Sequence, residues 1–116
     1  MVRYTSAEQL LRPGEVGLFI FTEGMHLTMK PDGTGSTGIW VIDPRRRFDW
    51  VVIYKRNPND RSKNELFMAR CGDFEGPKRG RYSINLHDIK RMGLTDVNWK
   101  EFASASENPI RYISRD

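Results

Sequence analysis

Short runs of apolar residues recur along the chain, and turns rich in glycine, proline, asparagine and aspartate separate them. Residues 48–55 form the most apolar run, with Trp-Val-Val-Ile-Tyr at its centre, which is typical of a strand buried on both faces. Residues 25–30 alternate apolar and polar side chains, which is typical of a strand with one face in solvent. These patterns predict strands at residues 15–22, 25–30, 38–42, 48–55, 65–71, 81–86 and 110–113.

Strands that are close in sequence are expected to pair as antiparallel hairpins. Residues 15–22 are predicted to pair with 25–30, and residues 48–55 with 65–71. The glycines within residues 72–80 predict a loop. Residues 87–92 are predicted to form one helical turn that ends at Gly93.

Two short helices are expected to flank these strands. Residues 5–8, Thr-Ser-Ala-Glu, have the form of a capping box, and the Pro-Gly pair at 13–14 ends the helix that follows. Thr95 or Asp96 can cap a second helix with a partial apolar stripe that includes Phe102. The predicted fold class is therefore α+β and mainly antiparallel β: a curved sheet of about five to seven strands, or a small barrel, with a short N-terminal and a short C-terminal helix.

The length of 116 residues predicts a single globular domain over residues 1–116, because a chain of this size can bury one core without disulfides or metals. The residues expected in that core are Leu18, Ile20, Ile39, Val41, Val51, Ile53, Phe67, Ile84 and Phe102.

Cysteine usage and hydropathy indicate the cellular setting. Cys71 is the single cysteine, so it can form no internal disulfide and no multi-cysteine zinc site. Residues 1–9 lack the apolar segment of a secretory signal, and the longest apolar runs are too short to cross a membrane. We expect a cytoplasmic protein without a membrane partner; its oligomeric state is left open.

Positive charge is concentrated in the middle of the chain. Residues 44–91 contain thirteen basic and six acidic residues, whereas residues 1–43 contain three and five, and residues 92–116 three and four. If residues 48–55 and 65–71 pair as a hairpin, two basic clusters meet at one end of the sheet. The predicted contacts of this patch with a nucleic acid or another polyanion are Arg45, Arg46, Arg47, Lys78, Arg79 and Arg81. Asp43, Asp49, Asp73 and Glu75 lie near them in sequence and could neutralise part of the patch.

Other motifs have ordinary structural interpretations. Residues 33–38 match the pattern GxGxxG, but a strand follows them where a dinucleotide site needs a helix, so they are interpreted as a flexible turn. His26, His87 and Cys71 are interpreted as surface or core residues rather than nucleophile and base. No catalytic residue, metal ligand or cofactor is assigned; a role other than catalysis is favoured, and the question of an enzyme is left open.

Three functional hypotheses follow. The first is a small nucleic-acid-binding module that contacts the phosphate backbone, and in which Trp50 or Phe74 can stack on a base if either is exposed. The second is a small barrel that holds a small molecule or a peptide in an apolar cavity. The third is a metal-dependent nuclease, because Pro31-Asp32 and Asp88-Ile89-Lys90 resemble the carboxylate and lysine elements of restriction-like nucleases and would need to converge.

Overall fold

One sheet of seven strands organises the computed structural model, which describes residues 2–103 and 108–116. The strands are β1 (Val16–Thr22), β2 (Thr28–Met29), β3 (Gly35–Ser36), β4 (Trp50–Lys55), β5 (Asn64–Lys78), β6 (Arg81–Thr95) and β7 (Ile110–Ser114). Their order across the sheet is β2-β3-β6-β5-β4-β1-β7, so β2 and β7 lie at its two edges. The sheet is mostly antiparallel, as predicted, but it does not close, and the small-barrel alternative is therefore wrong.

The interior strand β4 confirms the prediction of a strand buried on both faces. Its residues Val51 to Tyr54 are at most 1% exposed. β4 pairs antiparallel with β5, as predicted, but pairs in parallel with β1, from Gly17 opposite Trp50 to Thr22 opposite Lys55. β1 also pairs with β7. The predicted hairpin of residues 15–22 with 25–30 is wrong, because both edges of β1 are occupied by strands distant in sequence.

The hairpin of β5 and β6 is longer than its sequence pattern predicts. Both strands have 15 residues, and the pairing contains several register shifts. The loop predicted at 72–80 and the helical turn predicted at 87–92 are wrong, because irregular pairing and the positive φ of 54° at Asp88 accommodate these residues in strands. At the tip, Arg79 and Gly80 have φ of 54° and 76°, as the tight two-residue turn of a hairpin requires.

One face of the sheet packs against two short helical segments. Ala7–Leu10 form a 3-10 turn and Trp99–Phe102 form the helix α1, so each predicted helix is reduced to four residues. α1 is capped by Asn98, whose side chain accepts the Glu101 backbone N–H at 3.0 Å. These segments cover a cluster that includes Phe19, Val52, Tyr54, Leu66, Trp99 and Phe102. Among the residues that the structure describes, no helix has the length and apolar character needed to span a membrane.

The opposite face packs against the curled sheet itself and against the segment that follows β3. Seven predicted core residues are buried: Phe102 on the side of the helical segments and, on this opposite face, Leu18, Ile20, Val51, Ile53, Phe67 and Ile84. Ile39 and Val41 are instead 47% and 70% exposed, whereas Ile42 is 5% exposed. The core prediction for these two residues is wrong by one position. The backbones of Trp40 and Tyr82 exchange two 2.8 Å hydrogen bonds, which fix the register of this segment along β6. In that register Ile39 and Val41 lie outside the core.

Candidate polyanion-binding cleft

A cleft of about 600 Å³ lies between the edge strand β7 and the segment that continues β3 along β6. The cleft therefore lies where β7, at one edge of the open sheet, approaches the segment beside β6, near the other edge. The lining residues come from the 40–46 segment, from the start of β6 and from β7 with the two residues before it: Trp40, Val41, Arg46, Arg81, Asn108, Pro109, Ile110, Arg111 and Tyr112. We call this feature the arginine cleft.

The arginine cleft is lined by three arginines, Arg46, Arg81 and Arg111, and by no aspartate or glutamate among the described residues. Within this part of the chain, none of the three forms an ion pair with a carboxylate. The guanidinium carbon of Arg46 lies 3.8 Å from the centre of the Tyr112 ring. This stacking holds Arg46 over β7 while its N–H groups remain able to bind an anion.

The structure brings together part of the predicted basic patch. Arg46 and Arg81 line the same cleft. Lys78 pairs with Arg81 across the hairpin, and Arg79 occupies the turn between them, so both lie at the tip next to Arg81. Arg47 lines a neighbouring cavity of about 380 Å³, which it shares with Arg46.

Arg45 is the exception, because Asp43 neutralises it. The Arg45 Nε atom lies 3.2 Å from Asp43 Oδ1, and its backbone N–H donates to the same oxygen at 2.9 Å. These two hydrogen bonds, from the backbone first, lower the pKa of the Asp43 carboxyl. Arg45 is therefore the member of the predicted patch that forms an ion pair among the described residues. The charge of Arg46 also acts on Asp43, in the same direction and more weakly.

Arg111 was not among the predicted residues. It lies on β7 opposite Phe19 and is half-buried. The local sequence places it in a short apolar strand within the slightly acidic last part of the chain. An arginine within an apolar strand is a usable sequence signal, because arginine is rarely buried unless its charge is paired. Its proximity to Arg46 and Arg81 depends on tertiary structure alone.

Three buried polar atoms near the cleft have no hydrogen-bond partner within the described residues: Trp40 Nε1, Arg111 Nε and the Tyr112 hydroxyl. All three belong to residues that line the arginine cleft. The first two are donors only, and the third, a hydroxyl that can donate or accept, is protonated at neutral pH as any ordinary tyrosine is. Burial raises the pKa of Tyr112 further. Buried polar atoms are nearly always paired in proteins, so this wall of the cleft is short of acceptors.

The two candidate nuclease carboxylates belong to segments that lie side by side. The Ile89 N–H donates to the Gly33 carbonyl at 2.9 Å, which brings residue 32 near residue 88. Asp32, however, accepts hydrogen bonds from the N–H and the hydroxyl of Thr34 at 3.0 and 2.6 Å, and Asp88 contacts His87 at 3.1 Å. In residues 2–103 and 108–116, no three His, Cys, Asp or Glu side chains form a group that could hold a metal ion. The nuclease hypothesis stays a prediction.

On the apolar face of the curled sheet, the described residues form one small pocket beneath Trp40. The pocket lined by Ile20, Leu27, Trp40 and Ile53 has a volume of about 10 Å³, at the lower limit for one water molecule. A larger cleft of about 780 Å³ beside α1 is lined by aromatic and charged residues alike. The hypothesis of an apolar ligand cavity thus gains no specific support from the buried side of the sheet.

Comparison of the chain with protein-family models, with curated proteins and with solved structures found no match in any of the three.

Proposed function

We propose that the protein binds nucleic acid by contacting phosphates with the arginine cleft and the adjoining hairpin tip. The observation that carries the proposal is the meeting of Arg46, Arg81 and Arg111 in one cleft whose described lining contains no carboxylate. Charges of one sign repel each other when they share a concave surface. An anion that enters the cleft relieves that repulsion and gains charge-assisted hydrogen bonds.

The chemistry of the side chains favours phosphate as that anion. A guanidinium presents a planar fork of N–H donors that matches two phosphate oxygens at once. Lys78 and Arg79 extend the positive surface outward from Arg81 and can contact neighbouring phosphates. Arg45 is left out of the contact set because it is paired with Asp43. Since backbone contacts carry little sequence information, binding is expected to depend weakly on base sequence.

The salt dependence of binding tests this proposal. A fluorescently labelled single-stranded oligonucleotide is titrated by anisotropy at several NaCl concentrations upward from about 50 mM. Each neutralised phosphate contributes about −0.7 to −0.9 to the slope of log affinity against log salt. The three cleft arginines alone therefore predict a slope of about −2 to −3, and contacts of Lys78 and Arg79 as well would steepen it to about −3.5 to −4.5. Arg46→Gln and Arg81→Gln should each make the slope less steep by about 0.7 to 0.9.

A matched control separates local contacts from net charge. Arg61→Gln removes the same charge from an exposed arginine beyond the other end of β4, where the described residues contain no ion pair to Arg61. It should leave the slope nearly unchanged. The proposal is wrong if the wild-type protein does not bind at low salt. It is equally wrong if Arg61→Gln weakens binding as much as Arg46→Gln does.

A further inference from the structure

The shape of the arginine cleft indicates which part of a nucleic acid it takes. The cleft is walled by β7 on one side and by Trp40 and Val41 on the other, and Arg111 within it is half-buried. A duplex presents a convex row of phosphates, which suits exposed residues such as Lys78 and Arg79. A half-buried arginine between two walls suits a compact group that can enter the cleft from its open side.

We infer that the arginine cleft binds the terminal phosphate of a single nucleic-acid strand, an inference that rests on the proposed function. A terminal phosphate carries a charge of about −1.5 to −2 and three terminal oxygens. An internal phosphodiester carries a single negative charge and two such oxygens. Three arginines line the cleft, and none of its described lining residues is an aspartate or glutamate, so the cleft matches the terminal phosphate better than a phosphodiester.

The unpartnered donors support the same choice. Arg111 Nε, Tyr112 Oη and Trp40 Nε1 are buried atoms of residues that line the cleft, and each lacks a hydrogen-bond partner within the described residues. A ligand rich in acceptor oxygens supplies what this wall lacks. Arg46 is the exposed side chain stacked on the Tyr112 ring, so a phosphate bound to its guanidinium lies next to this wall of the cleft.

Strands that differ only at their ends test the inference. The probes are single strands of about ten nucleotides with a 5′-phosphate, with a 3′-phosphate or with hydroxyls at both ends. A fourth, hydroxyl-ended strand is one nucleotide longer, so it carries as many phosphates as the phosphorylated probes. We expect one of the two phosphorylated strands to bind at least about tenfold more tightly than this longer strand with the same number of phosphates.

Variants show which residues produce that preference. Arg46→Gln changes an exposed residue and should reduce the preference to about threefold or less. Arg111→Lys keeps the charge but loses the planar fork, and should reduce it as well. Arg79→Asn removes a charge at the hairpin tip with a residue that tolerates the φ of 54°, and should weaken all probes equally.

The outcomes distinguish the inference from the function on which it rests. Equal binding of all four strands with a clear salt slope would overturn the terminal-phosphate site and leave nucleic-acid binding in place. The absence of binding to any strand would overturn both. A preference that survives in Arg46→Gln would show that the terminal phosphate is bound outside the arginine cleft, which also overturns the inference.

Discussion

Replacement of Tyr54 by phenylalanine tests how the core beneath α1 is held together. Tyr54 is 1% exposed, and its hydroxyl donates to the Val97 carbonyl at 2.7 Å. Tyr54→Phe removes this bond and leaves the carbonyl without that donor. At neutral pH the free energy of unfolding should fall by about 1 to 2 kcal/mol.

The same hydroxyl makes the stability depend on alkaline pH. Burial raises the pKa of Tyr54 from 10.0 to about 12. The unfolded chain releases this proton at lower pH than the folded chain does, so its stabilising effect is complete below pH 10 and is lost as the pH rises toward 12. At pH 11, midway between the two values, the loss amounts to about 1.4 kcal/mol.

Urea denaturation of the wild type and of Tyr54→Phe at pH 8 and pH 11 measures this contribution. Other tyrosines and the lysines also titrate in this range, so the relevant quantity is the difference between the two proteins. That difference should shrink by about 1.4 kcal/mol, or change sign, between the two pH values. A difference that stays constant would refute the reasoning. Tyr82→Phe, at a partly exposed tyrosine, serves as the control.

Two further predictions concern contacts that hold the sheet. Glu15 accepts hydrogen bonds from the Arg12 backbone N–H at 2.8 Å and from the Trp50 indole N–H at 2.9 Å, and these bonds lower the pKa of Glu15. Glu15→Gln should therefore be less stable than the wild type at pH 7. The difference in unfolding free energy should become smaller as acid protonates the wild-type carboxylate, which denaturation at pH 7 and pH 3 can measure. Gly35→Ala would place a methyl group in steric conflict with the Thr28 carbonyl oxygen and should lower the free energy of unfolding by about 1 to 3 kcal/mol. Gly80→Asn, at a position with open space and a φ of 76°, should lower it much less, as thermal unfolding of both variants can show.

The strands buried on both faces were the most predictable part of the fold. The apolar run around β4 can be interpreted only as a buried strand. The pairing of β4 with β5 follows from the short polar connection between them. The parallel pairing of β1 with β4 has no local signal, because any apolar strand could occupy that position. Residues 87–92 mislead in another way: the positive φ at Asp88 and the register shifts break the alternation that identifies a strand.

From the sequence, the candidate site could be predicted only as an excess of basic residues in the middle of the chain. The cluster at 45–47 and the hairpin tip stand out in the sequence, and Arg46 and Arg81 do line one cleft. The pairing of Arg45 with Asp43 follows from their spacing of two residues, yet the sequence offers several carboxylates that could have taken that role. Arg111 enters the cleft through the position of β7 beside β1, which is a long-range feature.

The pairing of β7 with β1 also has a kinetic consequence. Gly17 lies opposite Ile113, so this contact joins segments separated by most of the chain. Contacts of such sequence separation require the closure of a large loop and form slowly compared with the β5–β6 hairpin, which closes through two residues. The strand that carries Arg111 and Tyr112 is thus expected to dock late in folding. An intermediate with the hairpin formed and β7 still undocked would have a nearly complete sheet but no arginine cleft.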